Sequence, residues 1–314
     1  MYLLPLELHE SVLNFLSPAD LASVARTSSA AYPAALRVLY RHISIGRIPP
    51  SVLLTLARRP DIARHVRCLQ VVLSGTFFLS FYRRLATALS TMTALVSLDL
   101  FIEGGSWLLP DSTIYSQLQH FASSFPFDSG VANFLGNAPA LETVHVDSAP
   151  VIPPALAQGS MARLVEFTGS STAAAAIVRG RPVESIHITS GDLTEDMVPA
   201  LAKSTASVTV LSITTHSAPV VLLQVLGRHL PHIMYLRVTS TCNLPAPPTP
   251  IFYEQVAGAL AFFPNLQSFE LSGMYWPSSK KPEDQQRIWH SQPLSNPQEE
   301  IFDLYSNTAD FFFS

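Results

Sequence analysis

Residues 95–100 read Leu95-Val96-Ser97-Leu98-Asp99-Leu100, an apolar-x-x-apolar-x-apolar hexad. Its last three positions alternate apolar, polar, apolar, which is the period of a strand with one buried face. The same spacing returns at Val66-Leu69-Val71, Leu141-Val144-Val146, Val183-Ile186-Ile188, Val208-Leu211-Ile213, Ile233-Leu236-Val238 and Leu266-Phe269-Leu271. Weaker copies stand at Leu118-x-x-Phe121 and Leu164-x-x-Phe167. The copies starting at 95, 118, 141 and 164 lie 23 residues apart, and the next gaps are 19, 25, 25 and 33.

A single unit of this kind cannot bury its own apolar face, so several have to stack. The spacing resembles that of leucine-rich repeats, about 20–29 residues. It predicts an α/β solenoid: a curved parallel sheet on the inner side with helices on the outer side. The asparagine of regular leucine-rich repeats is mostly missing after these strands, so the expected form is irregular. The segments between strands carry helix signals. Phe78, Phe81, Tyr82, Leu85 and Leu89 fall at helical spacing within Phe77–Ser90. Thr249-Pro250 ahead of IFYEQVAGALAFF reads as a cap, a first-turn proline and an apolar helix. Ser217 is expected to cap a helix running toward His229. Pro139, Pro182, Pro231 and Pro264 each precede a strand, where proline ends a helix and favours extended backbone.

The residue between the last two apolar positions of each copy faces away from the core. That column reads Gln70, Asp99, Ala122, His145, Thr168, His187, Ser212, Arg237 and Glu270, polar at every place but Ala122. Asp99, His145, Thr168, His187, Ser212, Arg237 and Glu270 are therefore the candidate ligand-binding residues of the concave face.

Residues 4–45 read LPLELHESVLNFLSPADLASVARTSSAAYPAALRVLYRHISI. Leu8, Val12, Leu13, Phe15 and Leu16 form one apolar helix face. Ser17-Pro18-Ala19-Asp20 starts a second helix, and a third runs through Ala30–Tyr40. Three short helices cannot enclose a large core, and such a unit calls for a docked neighbour or partner. Leu4-Pro5-Leu6-Glu7, Val12, Phe15-Leu16 and Asp20-Leu21 resemble the F-box, and Val38-Leu39-Tyr40-Arg41-His42-Ile43 is similar to the F-box-like proteins abundant in mushroom-forming fungi. Ala31-Tyr32 stands where that family often has a tryptophan. The resemblance implies docking on a Skp-family adaptor and, through it, a cullin–RING ubiquitin ligase, with the repeats presenting a substrate protein. Carried over residue by residue, the implied adaptor contacts are Leu4, Pro5, Val12, Phe15, Leu16 and Leu21. A leucine-rich-repeat scaffold unconnected with ubiquitin, its helices capping the end of the solenoid, is the alternative.

The rest of the chain narrows the function class. Its 314 residues are 48% apolar and 13% charged, with a formal net charge of −4. No basic cluster stands out, which argues against nucleic acid as partner. Cys68 and Cys242 make neither a disulfide framework nor a C-x-x-C metal pair, and reduced thiols suit a cytoplasmic or nuclear protein. No apolar run reaches the length of a membrane span, and MYLLPLELHE lacks the basic start of a signal peptide. No zincin-type His-x-x-x-His pair, Walker loop or Gly-x-Ser-x-Gly elbow occurs. The expectation is a non-catalytic receptor without cofactor or metal. Its divisions are an F-box-like module over 1–45, a solenoid over 46–273 and a polar tail or terminal cap over 274–314.

Overall fold

The structure, a computed structural model, describes residues 6–46, 51–148, 154–242, 249–280 and 287–290. In chain order the elements are α1 (Leu6–Leu13), α2 (Pro18–Thr27), α3 (Tyr32–Leu39), β1 (His42–Ile45), α4 (Ser51–Arg58), α5 (Pro60–Ala63), β2 (Cys68–Leu73), α6 (Leu79–Thr91), β3 (Ser97–Ile102), β4 (His120–Pro126), α7 (Ser129–Gly136), β5 (Thr143–Ser148) and β6 (Glu166–Ser170). They continue as α8 (Ser171–Ile177), β7 (Ser185–Ser190), α9 (Val198–Leu201), β8 (Val210–Thr215), α10 (Pro219–His229), β9 (Tyr235–Ser240), α11 (Pro250–Leu260), β10 (Ser268–Leu271), β11 (Met274–Tyr275), β12 (Ser278–Lys280) and β13 (Arg287–Trp289).

Strands β1 to β11 form one sheet in sequence order, parallel throughout except for β11. Every strong and weak copy of the hexad is one of its strands. The pairing keeps one register: Leu69, Leu98, Phe121, Val144, Phe167, Ile186, Leu211, Leu236 and Phe269 are successive partners. All nine are buried in a single apolar core with side chains of the helices. This is an open mixed α/β fold compatible with an α/β solenoid. No helix among the described residues is long and apolar enough to cross a membrane.

Not every connection is helical. β3 and β4 are joined by irregular chain with one 3-10 turn at Ser106–Leu108, and residues 154–165 ahead of β6 hold only turns. Their sequences explain it: Gly104, Gly105 and Pro110 interrupt the first, and Pro153 and Pro154 the second. Side chains hold these stretches down instead. The buried Tyr115 hydroxyl donates to Leu89 O at 2.8 Å. Arg181, 5% exposed, donates to Ile177 O at 2.8 Å, Ser160 O at 3.0 Å and Ser160 Oγ at 2.8 Å, tying the helix-free stretch to α8. Ser217 does not cap α10, whose cap position is Ala218; its hydroxyl instead donates to Glu195. Thr249 does cap α11, accepting from Phe252 N.

Gly169 occupies an inner-row position between Val146 and Ile188. Its φ is +149°, and a Cβ there would lie 2.1 Å from Val146 O. No other residue fits without moving the neighbouring strand. The bulge that follows turns the chain into α8, which Ser170 caps by accepting from Ala173 N.

The first and last segments depart from the expected divisions. His42–Ile45 is the first strand of the sheet, paired with Cys68–Val71, and so belongs to the repeats rather than to the helical module. The module has a small core of its own: Leu13, Leu21, Ala34 and Ala35, with Leu16, Val24, Ala25, Val38 and Leu39 around it. Ser17 Oγ caps α2 by accepting from Asp20 N at 3.2 Å. Helix α3 serves both cores, because Leu36 and Tyr40 pack against the sheet side. At the other end, residues 274–280 and 287–290 hold the short strands β11, β12 and β13. β11 pairs antiparallel with β10, and Trp276 and Trp289 enter the main core. Trp276 lies 5.4 Å from Phe269, ring centre to ring centre. Two large aromatic side chains outweigh the polar composition around them. Residues 291–314 lie outside the described residues.

The register yields a direct test. Leu211 is fully buried, whereas Ser212 lies on the opposite face and is partly exposed. Leu211→Ala is expected to cost about 2–5 kcal/mol in denaturant unfolding, with amide exchange rising first around Ile186 and Leu236, its ladder partners. Ser212→Ala is expected to change stability by no more than about 0.5 kcal/mol. The opposite ranking would refute the register.

Candidate functional site

The open face of the sheet carries two polar rows set by strand alternation. One is the predicted column, and the ladder aligns it in full: Gln70, Asp99, Ala122, His145, Thr168, His187, Ser212, Arg237 and Glu270 are successive partners. The other lies two residues earlier and includes Ser97, His120, Thr143, Glu166, Ser185 and Tyr235. Reading only the residue between two apolar positions missed this second row. The same alternation, extended two residues back, finds it.

Polar contacts join the two rows at His120 and at His187, and a third contact, Arg237 with Glu270, lies within the first row. His120 Nε2 lies 3.1 Å from Asp99 Oδ1, and its Nδ1 hydrogen-bonds to Thr143 Oγ1. His187 Nε2 hydrogen-bonds to Ser185 Oγ at 3.0 Å, with Glu166 close enough to act on it electrostatically. Arg237 Nε lies 3.2 Å from Glu270 Oε2. In addition, His145 meets the ring of Phe101 edge-on at 5.7 Å.

Exposure along the column is uneven. Asp99 and Glu270 are 7% and 4% exposed. Strands only about 4.8 Å apart let the longer His120 and Arg237 lie over the carboxylates of their neighbours. Asp99 and Glu270 thus orient other side chains and are not free contacts. His145, Thr168, His187 and Ser212 are half-buried, and Arg237 is exposed.

Protonation follows from this packing. Burial pushes the His187 imidazole below the ordinary histidine value, and Glu166 only partly offsets it. Burial also lowers His42, assisted by Arg41. The Cys68 thiol is pushed up by burial and by Asp99, which keeps it protonated and unreactive. Among the described residues no group of three His, Cys, Asp or Glu is placed to hold a metal ion.

The implied adaptor contacts divide differently. Val12 and Phe15 are 64% and 90% exposed, and Leu16 is half-buried. Phe15 and Leu16 lie past the end of α1, so the expected single helix face is split between helix and turn. Leu21 is 4% exposed and belongs to the core of the module, where it supports a surface without being part of it. Leu4 and Pro5 lie outside the described residues. No protein-family model matches this chain, and no curated protein matches it.

Two outcomes test these environments. His187 has a folded pKa below its unfolded one, so the unfolded chain binds more protons between the two values. Stability therefore falls as pH drops from about 6.5 through that window, and it returns as pH rises. His187→Gln is expected to flatten the decline in chemical-denaturation midpoint between pH 7 and 5; an unaltered slope would place the titration elsewhere. Arg237→Glu sets a second carboxylate against the buried Glu270. It is expected to lower stability by about 1–3 kcal/mol, with Glu270→Gln restoring part of the loss in the double variant.

Proposed function

We propose that the chain is the substrate-recognition subunit of an SCF-type ubiquitin ligase. The helical module docks on a Skp-family adaptor, and the open face of an irregular leucine-rich-repeat domain takes the substrate protein. The observation that carries this reading is the exposure of Phe15 and Val12 on a module whose own core is separate from that of the sheet. Apolar side chains left outside both cores are what a docking surface needs. Their positions coincide with those that the F-box resemblance assigns to the adaptor. Such a role would place the chain in the cytoplasm or nucleus.

The receptor itself is non-catalytic in this reading. The two acid–imidazole–hydroxyl sets, Asp99–His120–Thr143 and Glu166–His187–Ser185, sit on a parallel ladder. Its backbone N–H groups point to neighbouring strands, not off the face where an oxyanion would form. These sets offer fixed hydrogen-bonding partners to a bound protein. A second reading, a leucine-rich-repeat scaffold whose helices cap the sheet, is favoured by one observation: Leu36 and Tyr40 of the α3 region pack into the main core.

Copurification separates the two. The wild-type chain is expected to capture a Skp-family adaptor and a cullin. Val12→Ser with Phe15→Ser is expected to weaken adaptor binding at least tenfold without lowering the melting temperature, because both side chains are exposed. Leu21→Ala is expected to melt the module itself. Capture of no adaptor by the wild-type chain, or undiminished capture by the double variant, would leave the scaffold reading standing.

A further inference from the structure

Fifteen large apolar side chains are exposed among the described residues, and five of them, Val72, Phe77, Phe78, Leu79 and Trp107, lie in or just after β2 and β3. They are not scattered. Phe77, Phe81, Tyr82 and Trp107 form a run of rings with centres 5.1, 5.4 and 5.8 Å apart. Phe81 and Tyr82 are buried and anchor the run, while Trp107 is 57% exposed and Phe78 87% exposed. Beside them is an open groove of about 600 Å3, lined by Leu73, Phe101, Ile102, Glu103, Gly104 and Ser124. Gly105, next to the lining residue Gly104, brings the groove up to the aromatic run, since a Cβ there would stand 3.1 Å from Cδ1 of Trp107.

The lining sets the chemistry of the occupant. Glu103 is its one charged group, and it is exposed. The remaining lining is apolar but for Ser124, whose hydroxyl is already turned to Ile102 O at 3.0 Å. An exposed carboxylate beside exposed aromatic faces suits a cation carried on an apolar segment: the carboxylate pairs with the charge, and the rings take the stem and the cation–π contact. An acidic segment would meet an uncompensated carboxylate.

We propose that this groove is a peptide-docking site, outside the polar column of the sheet face, for an extended partner segment in which a Lys or Arg is flanked by apolar residues. It does not depend on whether an adaptor docks on the helical module. Phe101 connects it to the sheet face, because its ring meets His145. A protein lying on the polar rows could thus also reach the groove.

The test uses the full chain and fluorescein-labelled 12-residue peptides of Gly and Ser around a Leu-Arg-Phe centre, with Leu-Glu-Phe and Ser-Arg-Ser centres as controls, read by fluorescence anisotropy. The Leu-Arg-Phe peptide is expected to bind at least tenfold tighter than either control. Trp107→Ser is expected to weaken it at least fivefold. Glu103→Lys is expected to reverse the preference between the Arg and Glu centres. All these positions are exposed, and an unchanged melting temperature confirms that the variants are folded. Binding that ignores the central charge, a Glu103→Lys variant with unaltered preference, or no binding at all would overturn the proposal. So would concentration-dependent self-association, seen by sedimentation and lost in Trp107→Ser, which would assign the groove to a second copy of the chain.

Discussion

The in-register parallel ladder from β1 to β10 governs the rest of the molecule. Each strand takes its lateral position from the one before it, so one phase of alternation holds along the whole sheet. That phase sends Leu98, Val144, Ile186, Leu211 and Leu236 into one core and leaves Asp99, His145, His187, Ser212 and Arg237 on the other face. A slip of one residue at any joint would put carboxylates and imidazoles into the apolar side for every strand beyond it. The cost of burying such groups unpaired is several kcal/mol apiece, far more than a local rearrangement could offset. Gly169 fixes one joint by close approach to Val146 O, and the Arg181 guanidinium fixes the connection beside it.

The same regularity made much of the fold legible in the sequence. Period-two alternation located nine strands, and the leucine and phenylalanine positions of each copy proved to be the buried partners of the next. Capping chemistry located α2 and α11. What alternation does not encode was missed. His42–Ile45 is too short to display a repeat and is recognised only through its pairing with β2. Ser217 has the right residue type for a cap, yet its hydroxyl is taken by Glu195. Trp276 and Trp289 lie in a polar stretch, and no local pattern announces that they pack on the last repeat.

For the candidate site, position was legible and environment was not. Alternation names which residues face outward, and the aligned column follows from it. It does not say that His120 will lie against Asp99 or Arg237 against Glu270, because those contacts depend on side-chain reach between strands. The outward face is consequently a set of oriented pairs, with exposed and shielded members side by side. The aromatic run beyond β2 and β3 was equally hidden. Its members come from a loop, a helix and a 3-10 turn, and only the fold brings them together.

An eleven-stranded sheet also has an edge to manage. A parallel ladder that simply stopped would offer a row of unpaired N–H and C=O groups, a template on which a second copy could add its own first strand and propagate a fibre. Here the last parallel strand is met by β11, which is two residues long and runs the opposite way. Separately, β12 pairs antiparallel with β13, whose Trp289 is drawn back into the core. A head-to-tail neighbour would find neither the direction nor the length it needs. The short antiparallel β11 and the tryptophan-bearing residues after it therefore shield the β10 edge from a further parallel strand.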